Sequence, residues 1–212
     1  MANAWFTVAV ARLLEATSVG GCLFHYTRVP AYWGTTERIE RALELRPNER
    51  LLDVGCGTGI WTSLARGFYV GLDTDLALLR YAARRATEAR TALVKMSALD
   101  LGFVGQAFDR AVIINVIHHL DDLTVDRLLA QLKRVVRTRV VVADVAPEYA
   151  NRVEAFFNRH DRGAHIRSTE ALRNLLARHY TIEREEAFHN WLHTTSQVLF
   201  TLAPKNGAPT WT

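Results

Sequence analysis

The segment Leu51-Leu52-Asp53-Val54-Gly55-Cys56-Gly57-Thr58-Gly59 sets an acid two places before three glycines on alternate positions. Leu51, Leu52 and Val54 close an apolar run of the kind a buried parallel strand needs. Glycines in the turn leave out Cβ atoms, so a bulky ligand can approach the backbone closely. Ile60 to Arg66 then reads as a helix starting directly from the turn. Strand, glycine turn and helix start together form a nucleotide-type site in α/β proteins. The dinucleotide fingerprint G-x-G-x-x-G would require its third glycine where Ile60 stands, so this G-x-G-x-G is a different device. Asp53 beside the turn repels a phosphate and suits a ligand carrying an ammonium or another positive charge.

Two more positions carry chemistry. Asp73 ends the run Phe68-Tyr69-Val70-Gly71-Leu72 at the same expected sheet edge, where a carboxylate can accept two hydrogen bonds from a ribose diol. Asp75 is the better placed acid for capping the helix that follows. Further on, Asn115-Val116-Ile117-His118-His119-Leu120 follows an apolar strand. An imidazole titrates near neutrality, so His119 is a candidate general base. Alternatively, one of the two histidines packs and satisfies a backbone carbonyl. Metal binding is not expected, because His118 and His119 would point apart on an extended segment and no carboxylate cluster has ligand spacing.

These residues need a sheet to hold them. Strands are expected at Arg50–Val54, Phe68–Asp73, Thr91–Met96, Phe108–Ile114 and Arg139–Val145. Helices are expected from Leu76 to Arg90, with Leu76, Leu79 and Ala83 on the buried face, and from Asp121 or Asp122 to Val136. The alternation predicts a parallel sheet with helices on both faces. After Pro147 a short helix (Glu148–Arg159), a polar loop and a helix capped by Ser168 or Thr169 are expected. Two closing strands follow, near Tyr180–Glu185 and Ser196–Leu202. The segment before Arg46 looks helical, broken at Val19-Gly20-Gly21 and at Pro30.

The nine residues Leu51–Gly59 resemble motif I of the class I S-adenosylmethionine-dependent methyltransferases. That cofactor has an ammonium, a sulfonium and no phosphate, so its charge suits Asp53. Gly71-x-Asp73 matches the family's ribose-binding acid, and Phe108-Asp109 with Asn115–Leu120 resembles motif IV of the ubiquinone- and menaquinone-biosynthesis-like small-molecule enzymes. The resemblance covers Arg50 to Val145 clearly and the closing strands more loosely. It implies a Rossmann-like, mostly parallel seven-stranded sheet with an antiparallel closing strand. It further implies that Asp53, Gly55, Cys56, Gly57 and Gly59 hold the methionine end and that Asp73, with Thr74 beside it, takes the ribose. Ser97 stands where the family usually has an adenine-binding Asp, so Ser97, the Ala98 backbone, or Asp100 from a shifted loop would take the adenine. Asn115 would lie beside the methyl group. Tyr32 would belong to a lid that shields the sulfonium by cation–π contact. The corresponding division is an N-terminal helical lid segment at 1–46 and a cofactor-binding domain at 47–212, with a helical insert near 147–167.

Composition narrows the function classes. At 212 residues, 49% hydrophobic and 23% charged, the chain suits one globular core. The net charge of +4 is small, and only Lys95, Lys133 and Lys205 among 26 basic residues are lysines, so a nucleic-acid partner is not expected. Cys22 and Cys56 make no disulfide framework, and the apolar N-terminus lacks a basic region before it, so a reduced, cytoplasmic protein is expected. No apolar run has the roughly 18 residues of a membrane span. The expected partner is a small-molecule acceptor with an oxygen, nitrogen or carbon nucleophile. Alternatives are a membrane-surface quinone or lipid methylase, which the aromatic N-terminus permits, an RNA or protein methyltransferase, and a non-catalytic cofactor-binding module. Arg162 and Arg167, near His160, His165, His189 and His193, either line a pocket for an anion or form a solvated face.

Overall fold

The computed structural model describes residues 34–86, 90–150, 165–189 and 196–205. Seven strands form one sheet: β1 Arg50–Val54, β2 Phe68–Asp73, β3 Thr91–Lys95, β4 Phe108–Ile114, β5 Val136–Val145, β6 Tyr180–His189 and β7 Ser196–Pro204. Their order is β3-β2-β1-β4-β5-β7-β6, and β7 alone runs antiparallel to its neighbours β5 and β6. Four described helices are α1 Thr35–Leu43, α2 Leu76–Arg85, α3 Asp122–Val135 and α4 Thr169–Leu176.

The sheet is buried on both faces because its central strands carry consecutive apolar residues, Leu51-Leu52, Ala111-Val112-Ile113-Ile114 and Val140-Val141-Val142-Ala143. Adjacent residues in a strand point to opposite faces. Leu52, Ile113, Val142 and Phe200 therefore join the core with Val125, Leu128 and Leu132 of α3 and Leu172 and Leu176 of α4. Leu51, Val112, Val141 and Leu199 join Ile39 and Leu43 of α1, Trp61 and Leu79 on the other side. Asp75 caps α2 by accepting from the amides of Ala77 and Leu78, Asp121 caps α3 through Thr124, and Ser168 caps α4 through Ala171.

Several expectations are corrected. Ile60–Leu64 is a single 3-10 turn, not an α-helix, and ends where Ala65 becomes extended. The helix α2 stops at Arg85 and buries Leu79 and Ala82, leaving Leu76 and Ala83 exposed. The strand β5 begins at Val136, directly from α3, because its first residues pair with Phe108 of β4. Pro147–Tyr149 is a 3-10 turn, and the rest of the expected helix to Arg159 lies outside the described residues. Of the segment 1–46, the described helix α1 packs its Ile39 and Leu43 against the sheet, while Tyr32 and everything before it lie outside the described residues. Among the described residues no helix is long and apolar enough to cross a membrane.

Candidate functional site

The chain leaves β1 and β4 in opposite directions, β2 and β3 lying to one side and β5 to the other. A crevice opens at such a switch point, outside the carboxyl ends of the strands. Each loop there is tied to the neighbouring strand. Gly55 and Cys56 donate to the carbonyl of Leu72 at 2.8 and 3.0 Å, Met96 donates to Asp73 at 3.1 Å, and Asn115 donates to Ala143 at 2.8 Å. The result is a cavity of about 400 Å³.

One wall is the glycine turn. Gly55 (φ 74°) and Gly57 (φ 51°) both lie in the left-handed region, which side chains with a Cβ adopt at a cost. Their surroundings differ sharply. A Cβ on Gly55 would sit 2.5 Å from Cγ2 of Val116, so that glycine lets the β1 and β4 loops close on each other. A Cβ on Gly57 would meet nothing within 4 Å. The amide of Gly57 meets a carboxylate: Asp73 accepts it at 2.9 Å through Oδ2 and accepts the Asp75 amide at 2.8 Å through Oδ1. Each oxygen keeps a further lone pair for a ligand hydroxyl.

Of the residues singled out in the sequence, Gly55, Cys56, Gly57, Asp73, Thr74, Ser97, Ala98, Asn115 and His119 all line the cavity. Ser97 uses its hydroxyl to accept the Leu99 amide at 3.2 Å, and so shapes its own loop. Three expectations fail. Asp100 does not line the cavity and stays exposed. Gly59 does not line it either: a Cβ there would lie 3.0 Å from that of Ala82, so this glycine serves the packing of α2.

Asp53 is the third correction. It is 1% exposed, lies behind the turn, and accepts a hydrogen bond from the hydroxyl of Tyr69. Burial pushes its pKa up to about 7, and the negative charge of Asp73 adds to the rise. Tyr69 thus meets one oxygen of the carboxylate that the cofactor was expected to meet.

The opposite wall is the loop after β4. Asn115 adopts φ 56°, a conformation asparagine tolerates better than most residues, and its Oδ1 accepts Nε2 of Gln197 at 2.7 Å. Ile117–His119 is a 3-10 turn, not an extended segment, so the two histidine rings do not point apart. Their centroids are 4.1 Å away from each other. His119 faces the cavity, whereas His118 is buried and meets Asp144, Nδ1 to Oδ1, at 2.5 Å. Arg167 is neither an anion site nor a solvated face. Its guanidinium donates to the carbonyls of Ile117, Leu120 and His165 and pairs with Asp122. Arg162, His160 and His193 lie outside the described residues.

Sequence reasoning missed Trp61, Met96, Val116, Leu120 and Thr124, which also line the cavity. Trp61 and Val116 follow the turn motifs directly, a signal that neighbours of a motif share its wall. Tyr69, Asp144 and Gln197 carried no local signal. Among the described residues no group of three or more His, Cys, Asp or Glu could hold a metal ion.

Comparison with known proteins agrees with this geometry. Residues 51–139 match the family model described as a methyltransferase domain. The O-methyltransferase cnsE of Penicillium expansum is 30% identical over 128 residues, covering 53% of this chain and 45% of that protein, so the chain matches less than half the length of that relative. A Haloferax volcanii chain solved with the Trm112 methyltransferase activator superposes with a TM-score of 0.72 at 13% identity, over 92% of this chain and 97% of that one. Geranyl diphosphate C-methyltransferase from Streptomyces coelicolor, solved with S-adenosyl-L-homocysteine, gives a TM-score of 0.68 at 15% identity, over 81% and 75%. At such identities the solved structures speak for the fold alone. Residues 51–139 thus resemble a methyltransferase domain, and they are set in the seven-stranded fold that the solved methyltransferases share.

Proposed function

We propose that the chain transfers a methyl group from S-adenosylmethionine to a small-molecule acceptor with an oxygen, nitrogen or carbon nucleophile. The observation that carries this reading is the open space at Gly57, whose amide Asp73 accepts, on the wall of a cavity of about 400 Å³ that both residues line. A larger side chain at Gly57 would fill the space that a methionine moiety needs, and a carboxylate at Asp73 suits a ribose diol. Met96, Ala98, Leu99 and Leu78 give the same cavity apolar surface for a purine ring. Bound there, the cofactor would supply a methyl already activated on a sulfonium.

Little acid–base help is then required of the protein, and positioning supplies most of the rate. Asn115 and His119 lie on the wall away from the glycine turn, where the acceptor would stand. His119 would take the proton from an acceptor O–H or N–H. The Penicillium relative, an O-methyltransferase by name, supports oxygen among the three nucleophiles. The residues 1–46 and 147–167 would supply the lid and the acceptor-side insert.

Calorimetric titration with S-adenosylmethionine and S-adenosylhomocysteine tests the cofactor, on the native chain and on Asp73→Ala. Micromolar binding that the substitution abolishes is expected. A folded native chain giving no heat with either compound would sink the reading. A screen of phenol, amine and quinol acceptors then fixes the nucleophile, and liposome flotation separates a membrane-surface enzyme from a free one.

A further inference from the structure

The turn that presents His119 is held far more firmly than its length requires. A three-residue 3-10 turn needs only the bond from the Leu120 amide to the Ile117 carbonyl, present here at 3.0 Å. Yet almost every other backbone polar group of the turn is also taken. Asp144 of β5 accepts the His118 amide at 3.1 Å through Oδ2 and the Val145 amide at 2.7 Å through Oδ1. The His165 amide donates to the His118 carbonyl at 3.0 Å, and Arg167 takes the carbonyls of Ile117 and Leu120 at 3.1 and 2.6 Å. Asp144 is 2% exposed and His118 is 5% exposed. A carboxylate desolvated to that degree costs several kcal/mol unless it is well paired, and a neutral residue would pack a turn more cheaply. The surplus therefore acts on what the turn carries.

We infer that Asp144 is a positioning residue for His119, acting through His118, with Arg167 locking the other end of the same turn. Asp144 holds the His118 ring in plane from behind, and that ring lies 4.1 Å from the ring of His119 at an interplanar angle of 46°. An ionised carboxylate can only accept, so Nδ1 of His118 is the donor in this pair. The His119 ring is thus confined on its inner side and directed to the cavity. Among the described residues, the charged and titratable groups around the turn are Asp144 on β5, His118 within it, Asp121 and Asp122 at the start of α3, and His165 and Arg167 before α4. None of them lines the cavity. The inference rests on the proposed methyltransferase reading, and it adds residues that lie outside the cavity.

The test uses the full chain with histidine labelled for NMR, together with Asp144→Asn and Arg167→Lys. In the native chain with S-adenosylhomocysteine bound, His119 should give one sharp ring resonance that titrates once. In Asp144→Asn the anion behind the turn is gone, so the imidazolium at His119 loses support. Its midpoint should fall by roughly half a pH unit or more and its resonance should broaden. Arg167→Lys, which keeps the charge and loses the fork, should broaden it without the same shift. Affinity for S-adenosylhomocysteine should stay within about twofold in both variants. An unchanged His119 resonance and midpoint in folded Asp144→Asn, or in Arg167→Lys should the first variant not fold, overturns the inference. Failure of the native chain to bind S-adenosylhomocysteine overturns the cofactor reading itself, so the two failures are told apart by the binding experiment alone.

Discussion

The two walls of the cavity are built by opposite means. The β1–β2 wall is mostly backbone: glycines, turn amides and one carboxylate that accepts two of those amides. The β4 wall is mostly side chain. Gln197 sets Asn115 across 82 residues, and Asp144 and Arg167 set the histidine turn across 26 and about 50. A ligand shared by many enzymes can be gripped by main chain, which is insensitive to side-chain change. A wall that faces a particular acceptor needs side chains, and side chains need neighbours to hold them.

The largest break in that comparison should come from Asp73→Ala. On the proposed reading it removes the acceptor of two ribose hydrogen bonds, each about 1.5–3 kcal/mol when charge-assisted. Affinity for S-adenosylhomocysteine should fall roughly 100-fold or more, as calorimetry would record, while the His119 resonance stays in place.

Asp53 should make the β1–β2 wall sensitive to pH. Its pKa is about 7 when folded against 3.8 as the ordinary value, so between those limits the folded state holds a proton that the unfolded chain has lost. The stabilisation is therefore full near pH 4, is lost as pH rises, and is gone above about pH 7. Asp53→Asn removes this dependence. Urea melts at pH 5 and pH 7 should differ between the two chains by on the order of 2 kcal/mol, the native chain losing more on going to pH 7. Parallel pH profiles for both would refute it.

The seam where the walls touch gives a separate test. Gly55→Ala puts a methyl 2.5 Å from Val116 and should destabilise by about 2–4 kcal/mol, part overpacking and part left-handed strain. Adding Val116→Ala should restore the overpacking share only. Gly57→Ala, with open space around it, should melt closer to the native chain yet bind cofactor worse. The smallest effect is expected from His119→Ala. With an O–H or N–H acceptor, kcat should drop about tenfold, less than general bases usually contribute, with cofactor affinity unchanged. A larger loss would mean that proton removal limits the reaction.

The same division explains what could be read in advance. Strands β1, β2 and β4, the Asp75 and Ser168 caps and the glycine turn are local patterns, and each fell within a residue or two of its place. Asp73, Ser97 and Asn115 followed, because a residue just past a parallel strand reaches the common edge wherever the strand lies. Asp53 misled because its spacing is right but its partner, Tyr69, stands sixteen residues away on β2. The expected helix after Gly59 failed for a related reason: Trp61 and Leu64 turn inward to the core, which one 3-10 turn accomplishes. Arg167 could not be assigned, since nothing near it in sequence reveals two carbonyls about fifty residues back.

Gln197 stands at the start of β7, the strand inserted last between β5 and β6. In chain order the glycine turn, Asp73 and Ser97 all precede residue 100, whereas the brace of Asn115 comes from the β6–β7 hairpin. Removing that hairpin would leave every residue expected to grip the donor in the chain and take away the support on the facing wall.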